Sequence, residues 1–280
     1  MGQVAAEAVV LKVEPEIWVP LLLLKPSGAR SPVPVVVAIS EGGKERLLAN
    51  HSEEIESLLK AGVAVCLPDV RGTGETSPDA GRGPDSHEVT LAATELMLGN
   101  TLLGARLKDI RTVIAWLGRR SEIASQRIGL WGDSPTPVNS TKFLLDELPG
   151  WQIGPEIENQ AEPLGGLLAL LGALYEDSVR AVAIRQGLIS FLSVLEERFA
   201  YVPLDTVVPA VLETGDLAEL AANLCRPLLL ENLIDGRNRL VTRTRLKDFP
   251  ALAREGKVSE LTVRSGEEIP SLVQWLVGHL

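Results

Sequence analysis

The chain has 280 residues, of which 45% are hydrophobic and 23% charged, a length and composition that suit one large α/β domain or two small ones. The formal net charge of −10 argues against nucleic acid and an anionic membrane surface as partners, because both attract clustered Lys and Arg. No run reaches the roughly 18 apolar residues of a transmembrane helix, and two cysteines give no disulfide framework.

The first residues, Met1–Val4, lack the basic segment and apolar run of a secretory signal. Such a start fits either a native amino terminus or a domain of a longer protein, and the compartment is left open. Cys66 lies in an apolar run and Cys225 just before another, so both are expected to be small buried hydrophobic residues.

Strand patterns alternate with helix patterns, which predicts βαβ units and a mostly parallel sheet. We therefore predict the α/β class, with a mostly parallel central sheet, helices on both faces and an N-terminal β-hairpin. The predicted strands are 5–13, 17–25, 33–39, 63–67, 127–131, 179–184, 227–230 and 260–263. The predicted helices are 46–61, 89–119 with a break near Gly99 or Gly104, 188–197 and 269–279.

The sequence Gly132-Asp133-Ser134 directly follows the fifth predicted strand and is the first half of a G-x-S-x-G nucleophile elbow. The second half departs from the pattern, because Thr136 stands where the pattern has glycine and Pro135 follows the serine. In such elbows the amide after the serine is an oxyanion donor, and proline has no N–H group. The motif predicts an acyl-transfer site that lacks one of its usual donors.

Four motifs each directly follow a predicted strand, and their order along the chain is informative. They are Glu41-Gly42-Gly43 after the third strand, the D-x-R-G-x-G run at Asp69–Gly74 after the fourth, Ser134 after the fifth and Asp235 after the seventh. In this order the chain resembles the α/β-hydrolase fold. Within that fold it is similar to serine esterases of the acetyl xylan esterase and cephalosporin-deacetylase group, relatives of dienelactone hydrolases and prolyl oligopeptidases.

The resemblance implies a role for each matched position. Ser134 corresponds to the nucleophile and Asp235 to the acid that orients a histidine. The loop with Gly42 and Gly43 corresponds to the one that supplies the other oxyanion amide, and glycine suits a backbone that must approach a reacting carbonyl. Asp69 and Arg71 are expected to be structural anchors of their loop.

The same resemblance explains the broken elbow as an insertion. In the family, S-x-G-G leads straight into a helix, whereas here the Gly-Gly pair and its helix follow at Gly165-Gly166. The intervening residues, about 135–164, contain several prolines, which favour a rigid irregular segment. We expect one α/β-hydrolase domain over residues 1–280, with this inserted segment near the active-site mouth.

The histidine is missing from the loop where the family places it, residues 264–268. Of three histidines in the chain, His51 is expected on the surface of a helix, and His279 ends the closing helix roughly 15 Å from that loop. His87 follows the fourth strand, at the carboxyl edge where ligands bind in open α/β sheets. His87 is therefore the candidate base, and a solvated loop histidine is the alternative.

Two functions follow from these residues. The first is a serine hydrolase that cleaves carboxylic esters, acetyl esters of carbohydrates among them, with Ser134 attacking, His87 taking the proton and Asp235 orienting the base. The second is a catalytically impaired hydrolase-fold domain that serves as an accessory or binding module. No metal-ligand spacing or phosphate-binding glycine motif is found, so we expect neither metal nor cofactor. The expected partner is a small-molecule or carbohydrate ester.

Overall fold

The structure is a computed structural model that describes residues 4–28, 31–78, 87–141, 159–196, 201–246, 256–265 and 271–280. Its strands are β1 (Val4–Glu14), β2 (Ile17–Pro26), β3 (Val33–Ile39), β4 (Ala64–Pro68), β5 (Ile123–Asp133), β6 (Val179–Arg185), β7 (Leu228–Glu231) and β8 (Leu261–Arg264).

The longer helices are α1 (Gly43–Asn50), α2 (Ser52–Lys60), α3 (His87–Met97), α4 (Leu102–Leu117) and α5 (Leu164–Tyr175). Four shorter helices follow, α6 (Leu192–Leu195), α7 (Val211–Thr214), α8 (Leu217–Ala222) and α9 (Arg243–Leu246), and then the eight-residue α10 (Leu272–His279). Short 3₁₀ turns lie at Gly74–Thr76 and Leu204–Thr206. No helix of these described ranges is long and apolar enough to cross a membrane.

The described strands form one eight-stranded sheet in the order β1-β2-β4-β3-β5-β6-β7-β8. The hairpin β1-β2 and the pair β2-β4 are antiparallel, and the remaining neighbours are parallel. The predicted N-terminal hairpin and mostly parallel sheet are therefore confirmed. In the β3-β5 pair, Ile39 lies opposite Gly132, so the loops after these strands open at the same edge of the sheet.

The central strands are apolar on both faces because helices cover both sides of the sheet. In β3, Val35, Val37 and Ile39 belong to a core shared with α4 and α5. The alternating residues Val36 and Ala38 pack instead with α1, α2 and α10. The predicted helix layers on both faces are thereby confirmed.

Several predicted helix boundaries were wrong. The predicted helix 46–61 is two helices, because His51 between them has φ −127° and ψ 28°, outside the helical region. By contrast, the break predicted near Gly99 or Gly104 in the helix 89–119 is confirmed, because Gly99 has φ +80° in the turn between α3 and α4. Among the described residues of the predicted helix 188–197, only Leu192–Leu195 are helical.

One expectation for the cysteines is confirmed and the other is wrong. Cys66 is fully buried in β4, and burial raises the pKa of its thiol well above the ordinary range. Cys225 is exposed, because it lies in the turn between α8 and β7 rather than in the strand itself.

Candidate functional site

Ser134 directly follows the last residue of β5, at the carboxyl edge of the sheet. Its side chain is almost fully buried, with 3% of the residue exposed. The Oγ atom has no hydrogen-bond partner among the described residues. Leaving a buried hydroxyl unpaired costs roughly 1–3 kcal/mol, so the hydrogen-bonding capacity of Ser134 is not used by the fold.

Helix α5 begins directly against the end of β5. A Cβ atom on Gly132 would lie 2.3 Å from the carbonyl oxygen of Gly165 and 2.7 Å from Cα of Gly166. A Cβ atom on Gly165 would lie 2.3 Å from the carbonyl oxygen of Ile39. The glycine pair therefore lies at the ends of β3 and β5, as predicted from the displaced elbow. Residues 142–158 of the predicted insertion lie outside the described residues.

The two described ends of the predicted inserted segment are hydrogen-bonded to each other. The Asn139 side-chain amide donates to the carbonyl oxygens of Asn159 and Arg237, both at 2.9 Å. The backbone N–H of Asn159 returns a bond to Asn139 Oδ1 at 2.8 Å. Asn238 also donates to the carbonyl of Asn159, at 3.0 Å. Both ends are therefore fixed to the loop after β7.

Arg46 of α1 joins the same two ends from the other side. Its Nη2 donates to Thr136 Oγ1 at 3.1 Å, and its Nη1 is paired with Glu162. Thr136 and Glu162 are both buried. Thr136, the residue that replaces the elbow glycine, is thus an anchor between the inserted segment and α1.

Asp235 lies in the loop after β7, as predicted, and is 7% exposed. Its carboxylate accepts the backbone N–H groups of Arg237 and Arg239, at 2.9 and 3.0 Å. It also accepts from Nε of Arg239 at 3.0 Å and pairs with Nη2 of the same residue at 2.9 Å. The bonds described at this carboxylate all hold the turn together.

No described histidine is hydrogen-bonded to Ser134 Oγ. The His279 ring is 2.7 Å from the carbonyl of Trp275 through Nδ1 and 3.3 Å from Glu260 through Nε2. His87 is exposed and is the first residue of α3.

His51 was expected on the surface, and that expectation was wrong. Only 9% of His51 is exposed, and its Nε2 lies 2.9 Å from Oδ1 of Asp133, the residue before Ser134. Oδ2 of Asp133 accepts the indole N–H of Trp131 at 2.9 Å, and Arg185 lies 3.6 Å away. This buried cluster holds the end of β5 from the face opposite α5.

The pKa of His51 reflects two opposed effects. Burial lowers this pKa, because it disfavours the charged ring. The hydrogen bond and negative charge of Asp133, together with the charge of Glu54, outweigh burial and raise the pKa above its ordinary value. The surroundings of His51 therefore favour the protonated form of its ring.

The predicted oxyanion loop is tightly bonded internally. The N–H of Gly43 donates to the carbonyl of Ser40 at 3.1 Å, and the N–H of Lys44 donates to Asp69 Oδ1 at 2.7 Å. Gly43 has φ +72°, and a Cβ there would lie 2.6 Å from Asp69 Oδ1. Asp69 is thus the loop anchor that the sequence suggested, and the glycine at position 43 is required by the turn and by this contact. A Cβ at Gly42 would meet the Arg46 side chain at 2.3 Å.

Ser40 is a polar residue at the carboxyl edge of the sheet that was not predicted from the sequence. It follows β3, is 1% exposed, and its Oγ has no hydrogen-bond partner among the described residues. Because Ile39 pairs with Gly132, Ser40 and Ser134 lie at the ends of neighbouring strands. A single serine after a strand carries no pattern of its own, so only the strand register could have indicated it.

No family model matches the sequence, and no curated protein matches it. Solved structures match over nearly the whole chain. A structure from Bacteroides fragilis described as a candidate acetyl xylan esterase superposes with a TM-score of 0.68 at 17% identity, covering 94% of this chain and 70% of that one. A cold-adapted esterase from an Arctic intertidal metagenomic library matches with a TM-score of 0.58 at 14% identity, over 99% of this chain and 94% of that one. A dienelactone hydrolase from Anabaena variabilis matches with a TM-score of 0.52 at 17% identity, over 99% of this chain and 94% of that one.

These similarities show that the chain has the α/β-hydrolase fold, as the order of its motifs predicted. At identities of 17% and below, the proteins share the fold, and the reaction has to be argued from the site itself.

Proposed function

We propose that the chain hydrolyses carboxylic esters, with Ser134 attacking the carbonyl and carrying the acyl group. The observation that carries this proposal is the position of α5, whose first residues pack against the ends of β3 and β5. The strand, the serine and the helix N-terminus of a nucleophile elbow are thus kept together across the insertion. The proposal treats residues 1–280 as one domain, with the segment at about 135–164 beside the site.

The first turn of α5 supplies a substitute for the amide that Pro135 lacks. The first N–H groups of a helix have no partner within the helix and carry partial positive charge. In α5 the bonds within the helix begin with Leu167, whose N–H donates to the Pro163 carbonyl at 3.0 Å. The amides of Gly165 and Gly166 precede it and are the proposed oxyanion donors. They act with the Gly42 amide, since that of Gly43 already bonds to Ser40.

Proton transfer is assigned to His87, which follows β4 in the chain and stands at the start of α3. Hydrogen bonds to a catalytic serine are often long before substrate binds. Asp235 remains the proposed orienting acid. In that role its Oδ2 would release the Arg239 side chain and bond to the histidine ring instead. We expect a slow enzyme, because each missing or displaced catalytic group costs roughly 10²-fold or more in rate.

Acetyl esters of carbohydrates are the proposed substrates within this class. Support comes from the motif order and from the Bacteroides fragilis structure, which is described as a candidate acetyl xylan esterase. Acetylated xylan and p-nitrophenyl acetate are therefore the substrates to compare with a longer acyl ester.

A second function is favoured by the bonds at Asp235. Arg237 and Arg239 together supply the four contacts described at its carboxylate, which is the state of a turn-forming residue. A domain with this arrangement would bind an ester or a related ligand beside Ser134 without turning it over.

Steady-state turnover separates the two functions. We expect p-nitrophenyl acetate hydrolysis above the buffer rate, lost in Ser134→Ala and retained in the control Ser57→Ala, whose hydroxyl bonds to its own helix at 2.7 Å. Turnover that is the same in the protein and in Ser134→Ala would support the binding domain instead. Loss of turnover in His87→Gln supports the assignment of His87 as the base. Full activity of that variant contradicts this assignment.

A further inference from the structure

A basic groove lies between β1 and α4, and the residues that line it are not part of the candidate site. Its volume is about 550 Å³, and the cations that line it on α4 and just beyond its end are Lys108, Arg111 and Arg119. Leu11 of β1 forms part of the opposite wall, and Trp116 contributes an aromatic surface. The groove is thus positively charged in a chain with ten more acidic than basic residues.

The cations of the groove are only partly neutralised. Lys108 pairs with Glu14 at 2.9 Å, and Arg111 pairs with Glu176 at 2.6 Å. The exposed Arg119 side chain makes no ion pair with another described residue. From Lys108 to Arg119 the chain advances roughly 16 Å at the helical rise. The groove therefore presents a positive stripe that is as long as about five residues of extended chain.

Strand β1 is the edge strand of the sheet, so one side of its backbone is not paired with another described strand. The side chains of its 11 residues point alternately to the two faces of the sheet. Val9, Leu11 and Val13 face the core that includes α4, whereas Val4 and Val10 are 47% and 60% exposed on the other face. A long, exposed edge strand can accept an added strand from another polypeptide.

We propose that β1 and the basic groove together bind an extended acidic segment of a polypeptide, in which acidic and apolar residues alternate. Its backbone pairs with the free edge of β1, its carboxylates face Lys108, Arg111 and Arg119, and its apolar residues lie beside Val10. Two features favour a polypeptide over another polyanion: the backbone pairing that β1 offers, and the alternation of charged and apolar faces along this edge.

The direct test uses an octapeptide of alternating Glu and Val, labelled with fluorescein, and measures its anisotropy with the full chain. We expect saturable binding that weakens with added salt and weakens at least about tenfold in Arg119→Glu, equivalent to ~1.4 kcal/mol. Lys60→Glu is the matched control, because Lys60 is exposed on α2, which packs on the other face of the sheet. Equal affinity of the two variants, or no binding, overturns the proposal.

Hydrogen exchange with and without the peptide tests the edge pairing. We expect slower exchange of amides within Val4–Glu14 when the peptide is bound, and no change in α2. Binding without protection of β1 contradicts strand addition. If a heparin fragment competes as well as the peptide does, or if the block peptide Glu₄Val₄ binds equally well, the groove recognises negative charge alone and the proposal is wrong.

Discussion

Nε2 of His51 and Oδ1 of Asp133 are 2.9 Å apart, which links the junction of α1 and α2 to the residue that precedes Ser134. Both side chains are buried, and the indole N–H of Trp131 bonds to the other carboxylate oxygen. The backbone that carries Ser134 is therefore held by a buried hydrogen-bonded pair on one face of the sheet and by α5 on the other.

This pair predicts a specific pH dependence of stability. The folded-state pKa of His51 is raised, so protonation of the ring stabilises the fold. That contribution is complete below the unfolded pKa of about 6.5 and is lost as the pH rises through the higher folded pKa. We expect the loss of unfolding free energy in His51→Gln, measured by urea titration, to be larger near pH 5.5 than near pH 9. A loss that is independent of pH would contradict the raised pKa of His51.

Glu88 also predicts a loss of stability with rising pH, because the pKa of its carboxyl group is raised in the folded protein as well. Burial and the charge of Asp205 raise its pKa to about 7, although Arg106 donates a hydrogen bond to it at 2.8 Å. A carboxyl group whose folded pKa is raised reduces stability as the pH rises from the unfolded towards the folded pKa. We expect Glu88→Gln to be more stable than the parent protein near pH 8 and nearly equal to it near pH 4. The exposed Glu53→Gln is the control, with no such difference.

The contact of α5 with the strand ends is tested by adding a methyl group. Gly165→Ala would place Cβ 2.3 Å from the Ile39 carbonyl oxygen, so α5 must shift away from Ser134. We expect a loss of ~1–3 kcal/mol in stability together with loss of turnover. Gly278→Ala is the matched control in α10, where a Cβ meets nothing within 4 Å and the change should stabilise by up to ~1 kcal/mol. Similar behaviour of the two variants would argue against the contact.

Pro135→Ala tests which amides stabilise the oxyanion. If the first turn of α5 supplies the donor, restoring an N–H at position 135 changes kcat by less than about threefold. An increase of about 10²-fold, the usual worth of one oxyanion donor, would show that α5 does not replace it. A urea titration of the same variant shows whether the local fold is retained.

Much of the fold could be predicted because its signals are local. The valine-rich β3 and the hairpin follow from hydrophobic pattern alone, and Gly165 could be related to Ser134 because the elbow has a known order. The bond between His51 and Asp133 could not be predicted, since it joins residues 82 positions apart and no pattern marks either partner.

The bonds that Asp235 and Thr136 make in the site could not be predicted from the sequence either. The position of Asp235 followed from strand order, but its pairing with Arg239 depends on the conformation of the turn. Thr136 looked like a defect in the elbow, and its bond to Arg46 depends on how α1 packs beside the inserted segment. Sequence indicated where these residues lie, and tertiary packing decides what they bond to.

The most direct test of the central proposal is covalent labelling with a fluorophosphonate probe, followed by mass mapping of the modified peptide. The account predicts one label, on Ser134, that is absent from Ser134→Ala and blocked by prior incubation with a slowly hydrolysed ester. Absence of any label on Ser134 in protein that unfolds cooperatively would contradict an acyl-enzyme mechanism at this serine.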